Sequence, residues 1–429
     1  MKCKMFNKMM ATVCSVATVA GCVLGSGGIE VLADESSTLS LMTATSWNTD
    51  ALLKGISLYE DTTGNKVEME VIPDDQISDL IKTRLATNAD VPDVIAFHDG
   101  PFTSQQIVNY FEPLEGEWIG KLNEEHLDKK YKEKNGEVYR APYGSLTTLG
   151  LIYNKQIMED NNISLPIMSY TDLIAVCETL KSNGITPMSI SNKENWTAQI
   201  LGLDQNLSGL TAEEYEALKS GQLNYADVES LQKLLSNMVG LRDNGYINED
   251  FMSTTMDMSI EDVATGECAM TPAGAWSYSV LETNFPDAVE NVGMIPVPIS
   301  DDSIYVNINT SSKFFWVTKN GKSGNSELGK DFVNFMMSDE TMQAMYEVEP
   351  GICPIQGLEV KQNSWEKEMV GYSETIPYAK VIGELSGFST GDFATPIQQL
   401  FGGKSVHDTL ECWYDDCVQQ NKAARTEGF

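Results

Sequence analysis

The sequence predicts an α/β protein folded as two lobes, and three observations carry that reading. The chain has 429 residues, too many for one ordinary core. Strand and helix patterns alternate from residue 38 onward, the order of an α/β fold. No internal repeat and no low-complexity linker separates the halves, so the chain should cross between lobes on ordered strands. Hydrophobic residues make up 42% and charged residues 21%, values of a globular chain rather than a disordered one.

Residues 1–33 read as a leader outside the fold. Lys2, Lys4 and Lys8 form a positive n-region, and Met9 to Leu24 is an apolar run. At 16 residues the run falls short of the roughly 20 that a membrane span needs. Val19-Ala20-Gly21-Cys22 reads as a lipobox with Cys22 as the lipidated first mature residue. Val31-Leu32-Ala33 offers a competing cleavage site that would release a secreted chain.

The mature chain opens with a strand at Thr38 to Thr43. Asp50 is placed to cap a helix through Ala51, Leu52, Ile56 and Tyr59, which Gly64 stops. Val67, Met69 and Val71 alternate with Glu68 and Glu70, the period of a half-buried strand. Ile77, Leu80, Ile81 and Leu85 fall on one helix face, and Asp93 to Phe97 is a short apolar strand. This β-α-β-α-β order predicts a mainly parallel sheet. A turn at Asn135-Gly136 leads to a strand at Val138 to Ala141, which Pro142 interrupts, and Thr147 to Tyr153 is the next strand. Asn154 caps the helix after it. Thr171 caps a helix that ends at Gly184, and a strand follows near Pro187. Segments 211–221, 226–245 and 259–265 read as helices. Gly293 to Pro298 is extended, Phe314 to Thr318 a strand, and Leu328 to Met337 an amphipathic helix.

Charge and cysteines narrow the function. Without the leader, three of the 29 basic and one of the 62 acidic residues are lost, leaving 26 against 61 and a net charge of −35. Such a surface repels nucleic acid and anionic membrane and disfavours an anionic ligand. Outside the leader, Cys177, Cys268, Cys353, Cys412 and Cys417 are odd in number and scattered, a poor disulfide framework. Buried free thiols are expected. No metal-ligand spacing, P-loop or GxSxG motif occurs, so neither metal nor cofactor is implied.

The segment Gly136 to Lys155, GEVYRAPYGSLTTLGLIYNK, carries a Pro-Tyr-Gly and an aromatic-Asn-Lys ending. With GITPMSISNKENW at 184–196, GECAMTPAGAW at 266–276 and FVNFMMSDETMQAM at 332–345, it resembles extracellular solute-binding protein family 1. These are the maltose-binding-protein-like proteins that deliver sugars to ABC importers. The resemblance covers most of residues 38–420, and the order of the four segments is its most specific feature. It implies a two-lobe, type II periplasmic-binding-protein-like fold with a hinge. Lobe one would be residues 34–146 plus 297–320, and lobe two 150–295 plus 322–429. The hinge crossings would fall near Gly144 to Leu149, Pro296 to Ile299 and Lys319 to Ser323. The partners implied are an oligosaccharide and the permease subunits of an ABC importer. The chain would be a monomer that touches the membrane only through lipid.

A sugar has apolar C–H faces that pack on aromatic rings, and hydroxyls that need carboxylates and amides. Trp47 and Asn48 follow the first strand, at the end where α/β sheets bind ligands. Their alternative roles are packing and helix capping. Asp99 follows DVIAF and matches a family acid that bonds sugar hydroxyls, with an Asx-turn onto Gly100 as the other reading. By resemblance Asn195 and Trp196 lie in a ligand loop of the second lobe, and Trp276 of Gly274-Ala275-Trp276 is the stacking ring. Tyr143 sits at the proposed crossing, either reaching the cleft or packing the hinge. Tyr378 and Phe388 fall where the family often presents another aromatic. Trp118, Trp316, Trp365 and Trp413 read as structural.

The expected protein is therefore a binder and not an enzyme. Two other classes stay open at this stage. A secreted glycoside hydrolase could draw a carboxylate pair from the many acids. A surface adhesin or sensor partner would share the leader but would not need a cleft.

Overall fold

The computed structural model describes residues 36–429 apart from 75, 99–101, 103, 123–132, 134, 195, 203–207, 312, 380–388 and 427. The leader, with Cys22 and Ala33, lies outside the described residues, as do Asp99, Asn195 and Phe388. The strands are β1 (Thr38–Ala44), β2 (Lys66–Ile72), β3 (Val94–Phe97), β4 (Ala141–Pro142), β5 (Leu146–Asn154), β6 (Thr186–Met188), β7 (Cys268–Gly274), β8 (Val292–Ile295), β9 (Asn307–Ser311) and β10 (Phe314–Val317).

They form two sheets. The first has the order β2-β1-β3-β10-β4, with β1 parallel to β2 and β3, and β10 antiparallel to β3 and β4. The second has the order β6-β7-β5-β8, with β9 also paired to β5. β6 and β7 are parallel, and β5 runs antiparallel to β7, β8 and β9.

Local chemistry explains most of the elements. Helix Asp50–Thr63 buries Ala51, Leu52, Ile56 and Tyr59 and stops at Gly64, whose φ of 78° suits a residue without a Cβ. Its cap is Thr49 rather than Asp50: the Thr49 hydroxyl accepts from Leu52 N–H, and Asp50 takes the first helical position, where its charge faces the positive end of the dipole. Ser169 likewise caps helix Tyr170–Ser182 in place of Thr171. Asn154 caps Lys155–Asp160 as its position predicts. β2 keeps its alternation through Met69 and loses it at Val71, which is exposed on the edge strand. The strand expected at Val138 to Ala141 is instead an isolated bridge at Val138 to Leu114, and then β4. Pro142 stands inside β4, opposite Phe314 on the sheet edge, where its missing N–H costs no ladder bond.

Each sheet is covered by helices. Helices Ser326–Met336 and Asp339–Val348 pack on helix Asp50–Thr63 and the first sheet. Phe332 meets Tyr59 at 5.0 Å and Phe315 at 5.6 Å, and Gly329 approaches Val317 so closely that a Cβ would lie 2.8 Å from it. The expected boundaries put both helices in the second lobe, within 322–429, whereas they pack on the first sheet. Lys319 to Ser323, the expected third crossing, is tied to the first sheet: Lys322 N–H donates to Val91 and Ser323 N–H to Asp93. The chain leaves the first sheet's surroundings later, between Gln356, which donates to Lys121, and Asn363. There helix Ser364–Tyr372 begins and packs on β8, Trp365 donating to Val292. The second sheet is covered by helices Tyr170–Ser182, Glu229–Asp243, Ala394–Phe401 and Val406–Ala424, whose core includes Leu173, Leu235, Ile397 and Trp413. Trp118, Trp316, Trp365 and Trp413 are all buried. The five cysteines are free, four of them buried and Cys412 half-buried.

Candidate functional site

The C-terminal ends of β1 and β7 run into the same local structure. β1 ends in a 3-10 turn, Thr45–Trp47, and then helix Asp50–Thr63. β7 ends in a 3-10 turn, Ala275–Ser277, and then helix Tyr278–Asn284. Each turn carries one tryptophan.

On the first sheet the turn is braced by Asp74, whose carboxylate accepts from the backbone and hydroxyl of Ser46. The half-buried Trp47 ring lies 5.2 Å from Phe97 and 5.9 Å from His98, the residues at the end of β3. Asn48 is exposed beside it. Behind Phe97 stands an aromatic core: Trp316 donates to the Phe97 carbonyl and packs on Phe102 and Phe111. The Arg140 guanidinium lies over Phe314 and Trp316.

On the second sheet Trp276 is 48% exposed and Trp196 38% exposed. Their ring centroids are 6.3 Å apart and their planes inclined by 47°, a tilted pair facing water. Gly274 makes room for this. A Cβ there would lie 2.1 Å from the six-membered ring of Trp276, so the ring rests directly on the glycine backbone. The loop that presents Trp196 is held by Gln398, which donates to the Asn192 carbonyl at 3.0 Å, and by Asn192 N–H bonded to Phe251. In that loop the carboxylate Oε2 of Glu194 is buried with no hydrogen-bond partner among the described residues. No motif in the sequence singles out Glu194. Its only signal was its place beside Asn195 and Trp196.

Two more expected site residues are less open than the tryptophans. Tyr143 is buried and stacked on Phe315, 4.0 Å between centroids and 21° between planes. Burial, with Glu349 nearby, pushes its hydroxyl far above the ordinary tyrosine range. Its ring is part of the first core and not an open platform. Tyr378 is half-buried and bridges its backbone to Val306. Among the described residues no group of three His, Cys, Asp or Glu could hold a metal ion. No described helix is long and apolar enough to cross a membrane.

Comparison with known proteins agrees with this architecture. The family model for bacterial extracellular solute-binding proteins matches residues 45–343. An uncharacterized ABC transporter extracellular-binding protein of Pyrococcus horikoshii is 27% identical over 216 residues, 48% of this chain and 47% of that protein. The match thus spans about half the length of that relative. The multiple sugar-binding protein of Streptococcus mutans is 22% identical over 325 residues, 73% of this chain and 74% of that one. Among solved structures, the putative binding protein MsmE of Bacillus subtilis, in an open conformation, superposes with a TM-score of 0.72 at 18% identity, covering 91% of this chain and 99% of that one. RafE in complex with raffinose superposes with a TM-score of 0.71 at 18% identity, covering 89% and 99%. These likenesses show a two-lobe solute-binding fold.

Proposed function

We propose, from the premise that the chain belongs to the bacterial extracellular solute-binding protein family, that it captures a neutral oligosaccharide between its lobes and hands it to the permease of an ABC importer. The exposed Trp196–Trp276 pair is the observation that carries this reading. Two large apolar rings left in water are unfavourable unless a ligand covers them, and the C–H faces of a sugar suit them. Trp47 and Asn48 serve from the first sheet, and Asp99 and Asn195 supply groups for hydroxyls. Glu194 is a further acceptor. The surplus of acids, 62 against 29 basic residues, favours an uncharged ligand. The related multiple sugar-binding protein and the raffinose complex of RafE are consistent with this choice.

The lobe boundaries that fit the sheets are 36–142 with 314–356 for the first, and 146–311 with 363–429 for the second. Closure moves these bodies about their crossings. The protein works as a monomer, does no chemistry on its ligand, and is held at the outer face of the membrane by lipid on Cys22. Cys22→Ala should then abolish lipid labelling and release the protein from the membrane fraction. Mature wild-type protein beginning at Asp34 would show cleavage after Ala33 instead.

A glycan array followed by calorimetry on the hits tests the main reading, with small-angle scattering to follow closure. A saturating glycan should lower the radius of gyration. Hydrolysis products in the titration cell would favour a glycoside hydrolase, and an array without hits would remove the sugar assignment.

A further inference from the structure

The passage from the first sheet to the second is organised around one hydroxyl. Ser145 lies between β4 and β5. Its Oγ accepts from Ile352 N–H at 2.9 Å, and lies 2.9 Å from the Leu146 carbonyl and 3.4 Å from a carboxylate oxygen of Glu366. Ile352 follows helix Asp339–Val348, which packs on the first sheet's side. Glu366 belongs to helix Ser364–Tyr372, fixed to β8 of the second sheet by Trp365 donating to Val292 and Met294 N–H donating to Glu368. Groups anchored on different sheets therefore meet at the crossing. At 3.4 Å the Glu366 contact is long for a hydroxyl–carboxyl bond, so a small shift of the crossing breaks it.

Glu366 is 3% exposed, and among the described residues no cation pairs with it. Its second oxygen accepts from Asn363 N–H at 3.1 Å. Tyr346 and Glu349 face it from the end of helix Asp339–Val348, with Cys353 against Tyr346. Glu349 is paired with Lys313. On its own helix, Lys367 is adjacent and Glu368 turns to Lys155. Burial pushes the Glu366 carboxyl up to about 7, with a contribution from the Glu349 charge, against the Asn363 and Ser145 bonds.

A serine hydroxyl has one proton to give and can accept two bonds. With Glu366 protonated, Ser145 Oγ accepts from Ile352 N–H and from the Glu366 hydroxyl, and gives its own proton to the Leu146 carbonyl. Every group is matched. With Glu366 ionised, the carboxylate replaces the Leu146 carbonyl as the acceptor of the Ser145 hydroxyl. A charge with no cation beside it among the described residues is then buried at the crossing, where only an opening of the crossing can hydrate it. We propose that Glu366, acting through Ser145, is a proton-dependent positioning residue that ties the two lobes together at their crossing. Losing its proton loosens the tie, so lobe movement and glycan affinity depend on pH around neutrality.

The sign for stability follows from the same groups. The folded carboxyl binds its proton more readily than the unfolded one, whose ordinary value is 4.5. Its contribution is fully present below that value and is lost as pH rises through about 7.

This inference rests on the two-lobe reading above, and its test separates the two. Glycan affinity is measured by calorimetry at about pH 6 and about pH 8 for wild type, Glu366→Gln and Ser145→Ala. Amide hydrogen exchange over 145–152 and 349–353 is measured without glycan, each variant against wild type at the same pH. The Glu366→Gln side chain mimics the protonated acid, because its amide also donates to Ser145. Wild-type affinity should change at least about fivefold between the two pH values, the low end of an ordinary coupling between sites. Both variants should be nearly flat. The crossing should exchange alike in wild type and Glu366→Gln at the lower pH, and at least about fivefold faster in wild type at the higher pH, the same low-end coupling. If wild type and Glu366→Gln keep the same exchange at both pH values, and differ only in melting temperature, Glu366 is a buried structural acid and the proposal fails. If no glycan binds, the sugar assignment fails, and the exchange comparison still decides the tie.

Discussion

The turns after β1 and β7 share one backbone plan, yet their tryptophans stand in different surroundings. Trp47 leans on Phe97 and His98 and, through them, on the buried layer of Trp316, Phe111 and Phe102. Trp276 leans on the buried backbone of its own Gly274 and on the exposed Trp196. The first platform is an extension of a core, and the second is a pair of rings held in water by a loop and a glycine. The difference teaches that the same strand–turn–helix can set a ring rigidly or leave it available. What decides is the residue beneath the ring.

The largest effect should come from the core behind the first platform. Trp316 has no exposed surface, so Trp316→Ala should cost about 3–5 kcal/mol of stability, as large-to-small changes of buried aromatics do. Thermal melts would show the drop, while the fraction still folded should bind glycan nearly as wild type does. Equal losses of affinity and stability would mean that the layer shapes the ligand surface directly. Trp276→Ala should do the reverse. Removing an open stacking ring should weaken glycan binding at least about tenfold, roughly 1.4 kcal/mol, and barely move the melting temperature. A variant that melts far lower but whose folded fraction binds normally would place Trp276 in the core after all.

A subtler change sharpens the contrast. The backbone at Gly274 has φ −101°, open to any residue, so Gly274→Ala brings no backbone strain. Its Cβ can be accommodated only if the Trp276 ring swings away. Calorimetry should then show several-fold weaker glycan binding, smaller than for loss of the ring, since ring stacking of about 0.5–1.5 kcal/mol is impaired rather than removed. Unchanged affinity would mean that the resting position of the ring is not the one the ligand meets.

Much of this was legible in the chain. The strand at Thr38 to Thr43, the face of Ile77, Ile81 and Leu85, the stop at Gly64 and the cap at Asn154 are local signals, and each element stands where its signal lies. Caps were less secure. Thr49 and Asp50 are both good capping residues, and only the docking of the helix against its sheet chooses between them. The exposed pair could be named as candidates because the segments that carry Trp196 and Trp276 resemble those in which the family presents its aromatic rings.

By itself the sequence determined the α/β character, the order of strands and helices over residues 38–97, and which face of those elements is apolar, whereas no strand is read from it at β7 or β9. Periodicity marks a face to be covered, but not what covers it. That was left to the tertiary structure. Only the fold sends helices 326–336 and 339–348 to the first sheet, stacks Tyr143 under the crossing on Phe315, and draws Glu366 from another helix toward Ser145. These are contacts between segments far apart in the chain. They are decided by shape and by the need to bury apolar surface without stranding polar groups, and no window of neighbouring residues contains that information.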